Sequence, residues 1–345
     1  MKKDRPLDSP PEPATPPPEP EGGHPLKVQP VSVADWKQQA DQWESFSFFQ
    51  TPQWLEAICE AFGEFENRSV VLSDTQGTRV LLPLVENRKA PGLFTWLSLP
   101  YGTFGGPIPE VSNRSHSWGL VRQYLKEKKF AAVNLTLPPH FDPPQWPQFH
   151  VHALTTQVLD LRPGFEKLHN DFSSNCRWSI RRAQRTSIEV VPLDAKTFYD
   201  PFMNLYEQSM QRWGIEKGFP PKLFRLLWDR PGVTFWGALH QGKLVAANLI
   251  LTHRTHQYYW LAVMDHAAQQ LRPNNLLLSH ILEQSCQAGI ETFDFGNSEG
   301  LIGVFNFKKS FGPKVIKYSQ LYYAGPLVRG YHRIRSLLKG HSEEP

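Results

Sequence analysis

The strongest constraint in this 345-residue chain is an order of elements that occurs twice. Residues 69–85 carry two aliphatic and β-branched runs on either side of Gln76-Gly77. Residues 234–251 do the same around Gln241-Gly242-Lys243, and superposing Gly77 on Gly242 superposes Val80 on Val245. Such runs around a glycine turn predict a β-hairpin. Each hairpin follows helix-like sequence, Gln53 to Phe62 in one case and Tyr199 to Trp213 with Pro221 to Trp228 in the other. Each precedes a strand-like run (Trp96 to Leu99; Tyr258 to Ala262), a helical stretch (Ser115 to Lys129; Asn275 to Ala288) and a second strand (Ala131 to Leu135; Glu291 to Phe295). Recurrence of helix, hairpin, strand, helix and strand marks a duplicated unit. The expected class is α/β of the α+β kind: two tandem units, each a mixed, mainly antiparallel sheet flanked by helices.

The remaining segments divide around that repeat. Residues 1–30 hold ten prolines among glutamates and a Gly22-Gly23 pair, with no aromatic residue, so they read as a disordered tail that buries too little surface to offset its ordering entropy. The first unit is expected over 31–155, with the proline-rich stretch 138–147 leading out of it, and the second over 156–325. Residues 326–345 place Leu327, Tyr331, Ile334 and Leu338 on one helical face with Arg329, Arg333, Arg335 and Lys339 outside it: a basic amphipathic segment able to dock on the body or on an anionic membrane surface.

Several classes of protein are disfavoured. Met1-Lys2-Lys3 is followed by prolines and acids rather than an apolar core, unlike a cleaved signal peptide, and the longest apolar run, near Leu244 to Leu251, is too short to span a bilayer. Cys59, Cys176 and Cys286 are odd in number and far apart, which fits a reducing, cytoplasmic setting, with contact at the inner face of the membrane left to the C-terminal segment. The histidines lack metal-ligand spacing and no metal is expected. A net charge of +4 admits an anionic ligand without arguing for DNA.

Four groups of residues carry candidate chemistry. Arg177, Arg181, Arg182 and Arg185 share one face of a helical pattern, where mutual repulsion of a few tenths of a kcal/mol per pair is relieved by a bound anion or by local carboxylates. Pro273-Asn274-Asn275 opens a helix with an asparagine as N-cap, leaving backbone N–H groups free in front of it, yet without the glycine that close approach of a pyrophosphate favours. Phe293-Asp294-Phe295-Gly296 ends a strand and offers Asp294 as a turn-former or general base. Residues 303–312 alternate aromatic and polar side chains, packing one face and presenting Lys308 on the other, with Lys309 an equal choice; a fixed ammonium there suits a tetrahedral oxyanion. Gly102, Gly105 and Gly106 read as a structural turn.

Taken together, these residues resemble the FemAB/FemX group, duplicated GNAT-fold enzymes that pass amino acids from aminoacyl-tRNA to amines of peptidoglycan precursors. The resemblance spans residues 45–325. It rests on Phe49-Gln50-Thr51-Pro52-Gln53-Trp54, Arg177-x-x-Ile180-Arg181-Arg182-Ala183, Leu205-Tyr206 with Arg212, Pro273 opening a helix that runs to Gly289, Phe293-Asp294-Phe295-Gly296 and Phe307-Lys308-x-x-Phe311-Gly312. It implies two tandem GNAT-like units with Lys308 as the essential lysine and Asp294 beside it. It also implies a substrate channel near Arg177, Arg181, Arg182, Tyr206, Arg212, Tyr259, Asn274, Asn275 and Phe307. The expected activity is N-acyl transfer to an amine of a cell-wall or lipid-linked envelope precursor, with aminoacyl-tRNA as donor and no tightly bound cofactor. Two departures stand out. Ile58 occupies the place of a phosphate-binding lysine four residues after the tryptophan, which argues against a nucleotide-linked muropeptide acceptor, and the coiled-coil arm of some members is absent. GNAT-like proteins of polysaccharide and envelope loci share Tyr101-Gly102-x-x-Gly105-Gly106-Pro107 and the arginine-rich helix, and they imply acyl-CoA as donor instead. A non-catalytic envelope-assembly module is the remaining alternative; it requires Lys308 and Asp294 to point away from any cleft.

Overall fold

A computed structural model describes residues 25–329 except 43–46, 91–92, 99, 102–103, 110–113, 129–130, 140, 299 and 327. The proline-rich stretch before residue 25, Gly102, Leu327 and most of the basic C-terminal segment lie outside the described residues. In chain order the first unit comprises β1 (Lys27–Pro30), α1 (Val33–Gln42), α2 (Pro52–Ala61), β2 (Phe65–Asn67), β3 (Val70–Ser73), β4 (Arg79–Leu82), β5 (Val85–Ala90), β6 (Leu93–Leu97), β7 (Ile108–Pro109), α3 (Arg114–Lys126), β8 (Ala132–Thr136) and β9 (His150–Asp160). The second comprises α4 (Phe165–Asp171), α5 (Ser174–Gln184), β10 (Ile188–Pro192), α6 (Ala195–Trp213), α7 (Pro221–Trp228), β11 (Val233–His240), β12 (Lys243–His253), β13 (His256–Met264), α8 (Pro273–Gln287), β14 (Thr292–Asp294), α9 (Ile302–Lys309) and β15 (Lys314–Ala324). Composition assigned residues 27–30 to the tail, but they form β1, paired antiparallel with β3; Pro30, which lacks an N–H, sits at the strand's end.

Both expected hairpins are present, in different forms. In the second unit β11 and β12 run together as long strands. In the first unit the strand after the turn is cut at Pro83, which has no N–H to give to a ladder. Its leading part, β4, pairs with β3 in a sheet ordered β1-β3-β4-β7, and its trailing part, β5, pairs with β2 in the large sheet. Ser69 spans the break: its hydroxyl accepts from Leu84 N at 3.0 Å, while Arg68 N donates to Leu84 O at 2.9 Å.

The large sheet is ordered β10-β11-β12-β13-β14-β9-β15-β8-β6-β5-β2, with parallel pairs only at β13/β14 and β6/β8. Its two halves mirror each other about the β9/β15 pair. There the units exchange strands: β9, which follows β8 in the chain, lies against β14 of the second unit, and β15, which follows β14, lies against β8 of the first. The boundary expected between residues 155 and 156 therefore falls inside a strand that belongs to both units. Hydrogen bonding explains it, because β14 and β8 would each present an open edge without the exchanged strand.

Strand alternation sends apolar side chains to both faces. One face, with Tyr258, Leu249, Ala247 and Phe235, packs on α2, α6 and α7 through Trp54, Phe202 and Phe224. The other, with Tyr259, Ile250, Phe293 and Phe295, packs on α4, α5 and α8 through Leu168, Ile180, Leu278 and Leu282. A third cluster joins the small sheet to α3 and β8. Each fully buried Phe or Leu contributes about 1.5–3 kcal/mol relative to exposure, which fixes the strand ends that carry the polar residues below. Among the described residues no helix is long and apolar enough to cross a membrane.

Candidate active site

The parallel strands β13 and β14 are in register from His256↔Thr292 to Tyr258↔Asp294, and beyond that point they part. β13 continues to Met264, while the chain after Asp294 turns away through Gly296, whose φ of +72° favours glycine. The turn is closed from within, since Asp294 Oδ1 accepts the Gly296 N–H at 2.8 Å. The first unit treats the equivalent place differently. Ser98, just past β6, stays bonded to β8: its N–H donates to Asn134 O at 2.8 Å and its hydroxyl accepts from Thr136 N at 2.7 Å. The glycine segment then seats across both strand ends. Gly105 N donates to Thr136 O at 2.8 Å, Gln50 Nε2 donates to Gly105 O at 2.6 Å, and a Cβ on Gly105 would stand 2.3 Å from Ser98 O. The turn reading of these glycines accounts for this plug at the strand ends of the first unit.

Asp294 ends the paired part of β14 and Lys308 bonds to the turn that follows, and both are buried, at 4% and 5% exposure. Asp294 is held by the Thr156 hydroxyl and by Gly296 N. Burial pushes its carboxyl up to about 6, against the pull of those hydrogen bonds and of the Lys308 charge. Lys308 Nζ donates to Gly296 O at 3.3 Å and Asn297 O at 3.2 Å. Burial brings its ammonium down to about 8, opposed by the charge of Asp294. At neutral pH the pair is mainly carboxylate and ammonium, each raising the cost of discharging the other.

The alternating pattern around residue 308 reads differently in three dimensions. Residues 302–309 are a helix, and Lys308 is turned inward rather than presented outward, because the carbonyls of 296 and 297 accept its N–H groups and the charge of Asp294 favours its ammonium. Lys309 is exposed, so the structure distinguishes two lysines that the sequence left equal.

The other candidates are distributed around this pair. Phe307 packs edge-on against Phe311 at 5.5 Å and supports α9. The N-cap of α8 is Arg272, at φ +60°, with Pro273 in the first turn and Asn274 and Asn275 just inside it; proline takes that place because its missing N–H has no helical partner there. Asn274 Nδ2 points to Met264 Sδ at 3.6 Å and Asn275 Nδ2 to Cys176 Sγ at 4.0 Å, while Asn274 Oδ1 is buried with no hydrogen-bond partner. Arg212 Nη1 donates to Met264 O at 3.3 Å, so Arg212 and Asn274 meet at the end of β13. Arg177 is committed to the carbonyls of Asn170 and Phe172, closing α4, and Arg182 donates to Gln270 O at 2.9 Å with its guanidinium over Trp178, while Arg181 is exposed. Tyr206 lies in the aromatic layer under α6 and α7 and accepts Phe219 N at 2.5 Å. Tyr259 packs beneath α8; the register places Tyr258 beside Asp294, and strand alternation sends Tyr259 to the other face.

Three residues of this region escaped the sequence reading. Thr156 and Gln157 lie far upstream on β9, and Asn248 lies inside the apolar run of β12, wholly buried, with Tyr259 OH donating to its Oδ1 at 3.5 Å. A buried amide in the middle of an aliphatic strand was the one signal available for any of them.

Comparison with known proteins bears on the fold. Residues 170–309 match the family model described as an acetyltransferase (GNAT) domain. No curated protein is significantly similar to the chain in sequence. Among solved structures, FemX superposes with a TM-score of 0.71 at 11% identity, over 89% of this chain and 99% of its own. The C-terminal domain of a putative lysylphosphatidylglycerol synthetase from Agrobacterium fabrum gives 0.56 at 13% identity, over 89% and 98%. A tandem GNAT protein from the clavulanic acid biosynthesis pathway gives 0.53 at 13% identity, over 88% and 99%. The chain thus has a tandem GNAT-like fold that also superposes on FemX, with its GNAT-matching segment in the half that carries Asp294 and Lys308.

Proposed function

We propose that the protein is an N-acyltransferase whose reaction takes place where β13 and β14 part. The observation that carries this reading is a buried lysine, kept charged by a buried carboxylate, where the β13/β14 pairing of a GNAT-like second unit ends. When an amine attacks an activated carbonyl, negative charge collects on the carbonyl oxygen. A fixed ammonium in a site shielded from water stabilises that oxygen more than it stabilises the neutral carbonyl. Lys308 has two of its three N–H bonds directed at the carbonyls of 296 and 297, leaving the third for the oxyanion. Asp294, saturated at Oδ1 by Thr156 and Gly296, serves as counter-ion, and Lys308 can exchange a proton near neutral pH as the intermediate collapses.

For the donor, the FemAB-like motifs favour an aminoacyl group carried by tRNA, with an amine of a cell-wall or lipid-linked envelope precursor as acceptor. The lack of a glycine at the start of α8, where Arg272, Pro273, Asn274 and Asn275 stand instead, supports it. The acetyltransferase family match favours the second reading, an acyl-CoA donor. Thermal-shift titration separates them: stabilisation by an aminoacyl-tRNA mimic and none by acetyl-CoA is the expected result, and the reverse would move the assignment to the CoA-dependent class. No stabilisation by either donor would leave the non-catalytic module as the better account.

A further inference from the structure

Asp294 is held from another strand. In the antiparallel β9/β14 pair, Asp294 is opposite Val158, and Thr156 follows two residues along on the same face. Thr156 is 1% exposed, and its hydroxyl donates to Asp294 Oδ1, the oxygen that also accepts Gly296 N. Gln157, 2% exposed, works from the opposite face. Its carbonyl accepts Phe295 N at 2.8 Å, its Oε1 accepts the Ser298 hydroxyl at 3.4 Å and its Nε2 donates to Phe305 O at 3.4 Å. Two consecutive residues of β9 thus hold the chain on either side of the Gly296 turn, from the carboxylate to the helix that bears Lys308.

β9 is the strand exchanged between units, and a hydroxyl donating to a carboxylate favours its ionised form. We infer that Thr156 is a positioning residue: its hydroxyl fixes the Asp294 carboxylate and keeps it ionised, and through that charge it keeps Lys308 protonated, so that a strand from the first unit sets the charge state of the second unit's site. The inference rests on the acyl-transfer reading for its catalytic meaning and on geometry alone for its titration behaviour. The titratable groups facing Asp294 are Lys308 on α9 and Tyr258 on β13. Tyr258 is raised by burial and by Asp294 itself, so its phenol stays neutral and Lys308 is the cation that answers. From β9, Thr156 and Val158 carry no titrating group.

The test is a titration of the full-length protein with carbon-13 in its aspartate carboxyls, the Asp294 signal being identified by its loss in Asp294→Asn. Thr156→Val keeps the shape and removes the hydroxyl, and Thr156→Ser restores it. The expected result is a rise of about one pH unit in the Asp294 midpoint in Thr156→Val and a return towards wild type in Thr156→Ser. An unchanged midpoint in folded Thr156→Val, or a shift that Thr156→Ser shares, overturns the inference. If Thr156→Val fails to fold, the serine variant decides: a midpoint displaced upward in a folded Thr156→Ser also overturns it. Failure of the acyl-transfer reading is distinguishable, because it shows as retained transfer in a Lys308 variant and leaves the titration untouched.

Discussion

Replacing Lys308 by methionine removes a charge while keeping most of the side-chain volume, so its effect on stability reports the electrostatics of the site. Burial lowers the lysine from 10.5 to about 8 in the folded protein. A depressed folded-state value means that the fold favours the neutral amine. The resulting stabilisation is full above 10.5 and is lost as pH falls through 8. Between those limits each pH unit is worth about 1.4 kcal/mol. Raising the pH from about 7 to about 9.5 covers roughly one and a half units past the folded value, so wild type should gain about 2 kcal/mol relative to Lys308→Met over that span. Urea unfolding at a series of pH values measures it, and taking the difference between the two proteins cancels groups remote from the site, which titrate alike in both. Parallel stability curves for the two proteins would refute the reasoning, because a lysine whose replacement leaves the pH dependence unchanged is solvated.

Asp294→Asn tests the acid side: the carboxyl is raised from 3.8 to about 6, so its contribution is full below 3.8 and lost as pH rises through 6, and wild type should lose about 2.4 kcal/mol relative to the variant between about pH 4 and pH 7, read from the same urea series. Gly105→Ala forces a Cβ to 2.3 Å from the Ser98 carbonyl, and backbone must move to admit it; a loss of about 1–3 kcal/mol is expected by thermal or urea unfolding, with a wild-type midpoint counting against the plug. A fragment starting after β9, from about residue 161, leaves β14 and β15 each without their β9 partner and should be insoluble or unfolded by circular dichroism, whereas a soluble, cooperatively folding fragment would show that the exchanged strand is dispensable.

Much of this architecture was legible because its signals are local. The Gln76-Gly77 and Gln241-Gly242 turns sit between β-branched runs, and both hairpins form there. Phe293-Asp294-Phe295-Gly296 marked Asp294 by its place at a strand end, whereas residue type left Lys308 and Lys309 equal and only the family resemblance pointed to Lys308. What escaped depends on pairing between distant segments. Pro83 announces a break in a strand, but only the packing of α3 beneath the small sheet determines that the two pieces enter different sheets. The exchange of β9 and β15 has no local signature, since either strand would carry the same alternation beside either unit. Thr156 is likewise an ordinary strand threonine until the register brings it next to a carboxylate 138 residues away. In the arginine-rich helix four guanidinium groups suggested an anion site, and the fold gives Arg177 and Arg182 backbone carbonyls as partners while Arg181 and Arg185 stay exposed.

If the buried ammonium of Lys308 stabilises charge during acyl transfer, its removal must slow the chemical step itself. Single-turnover transfer from the donor that binds, compared for wild type, Lys308→Ala and Lys309→Ala, tests this most directly. The expected result is a loss of about 100-fold or more for Lys308→Ala, with wild-type rate for its exposed neighbour. Equal rates in all three proteins would contradict it.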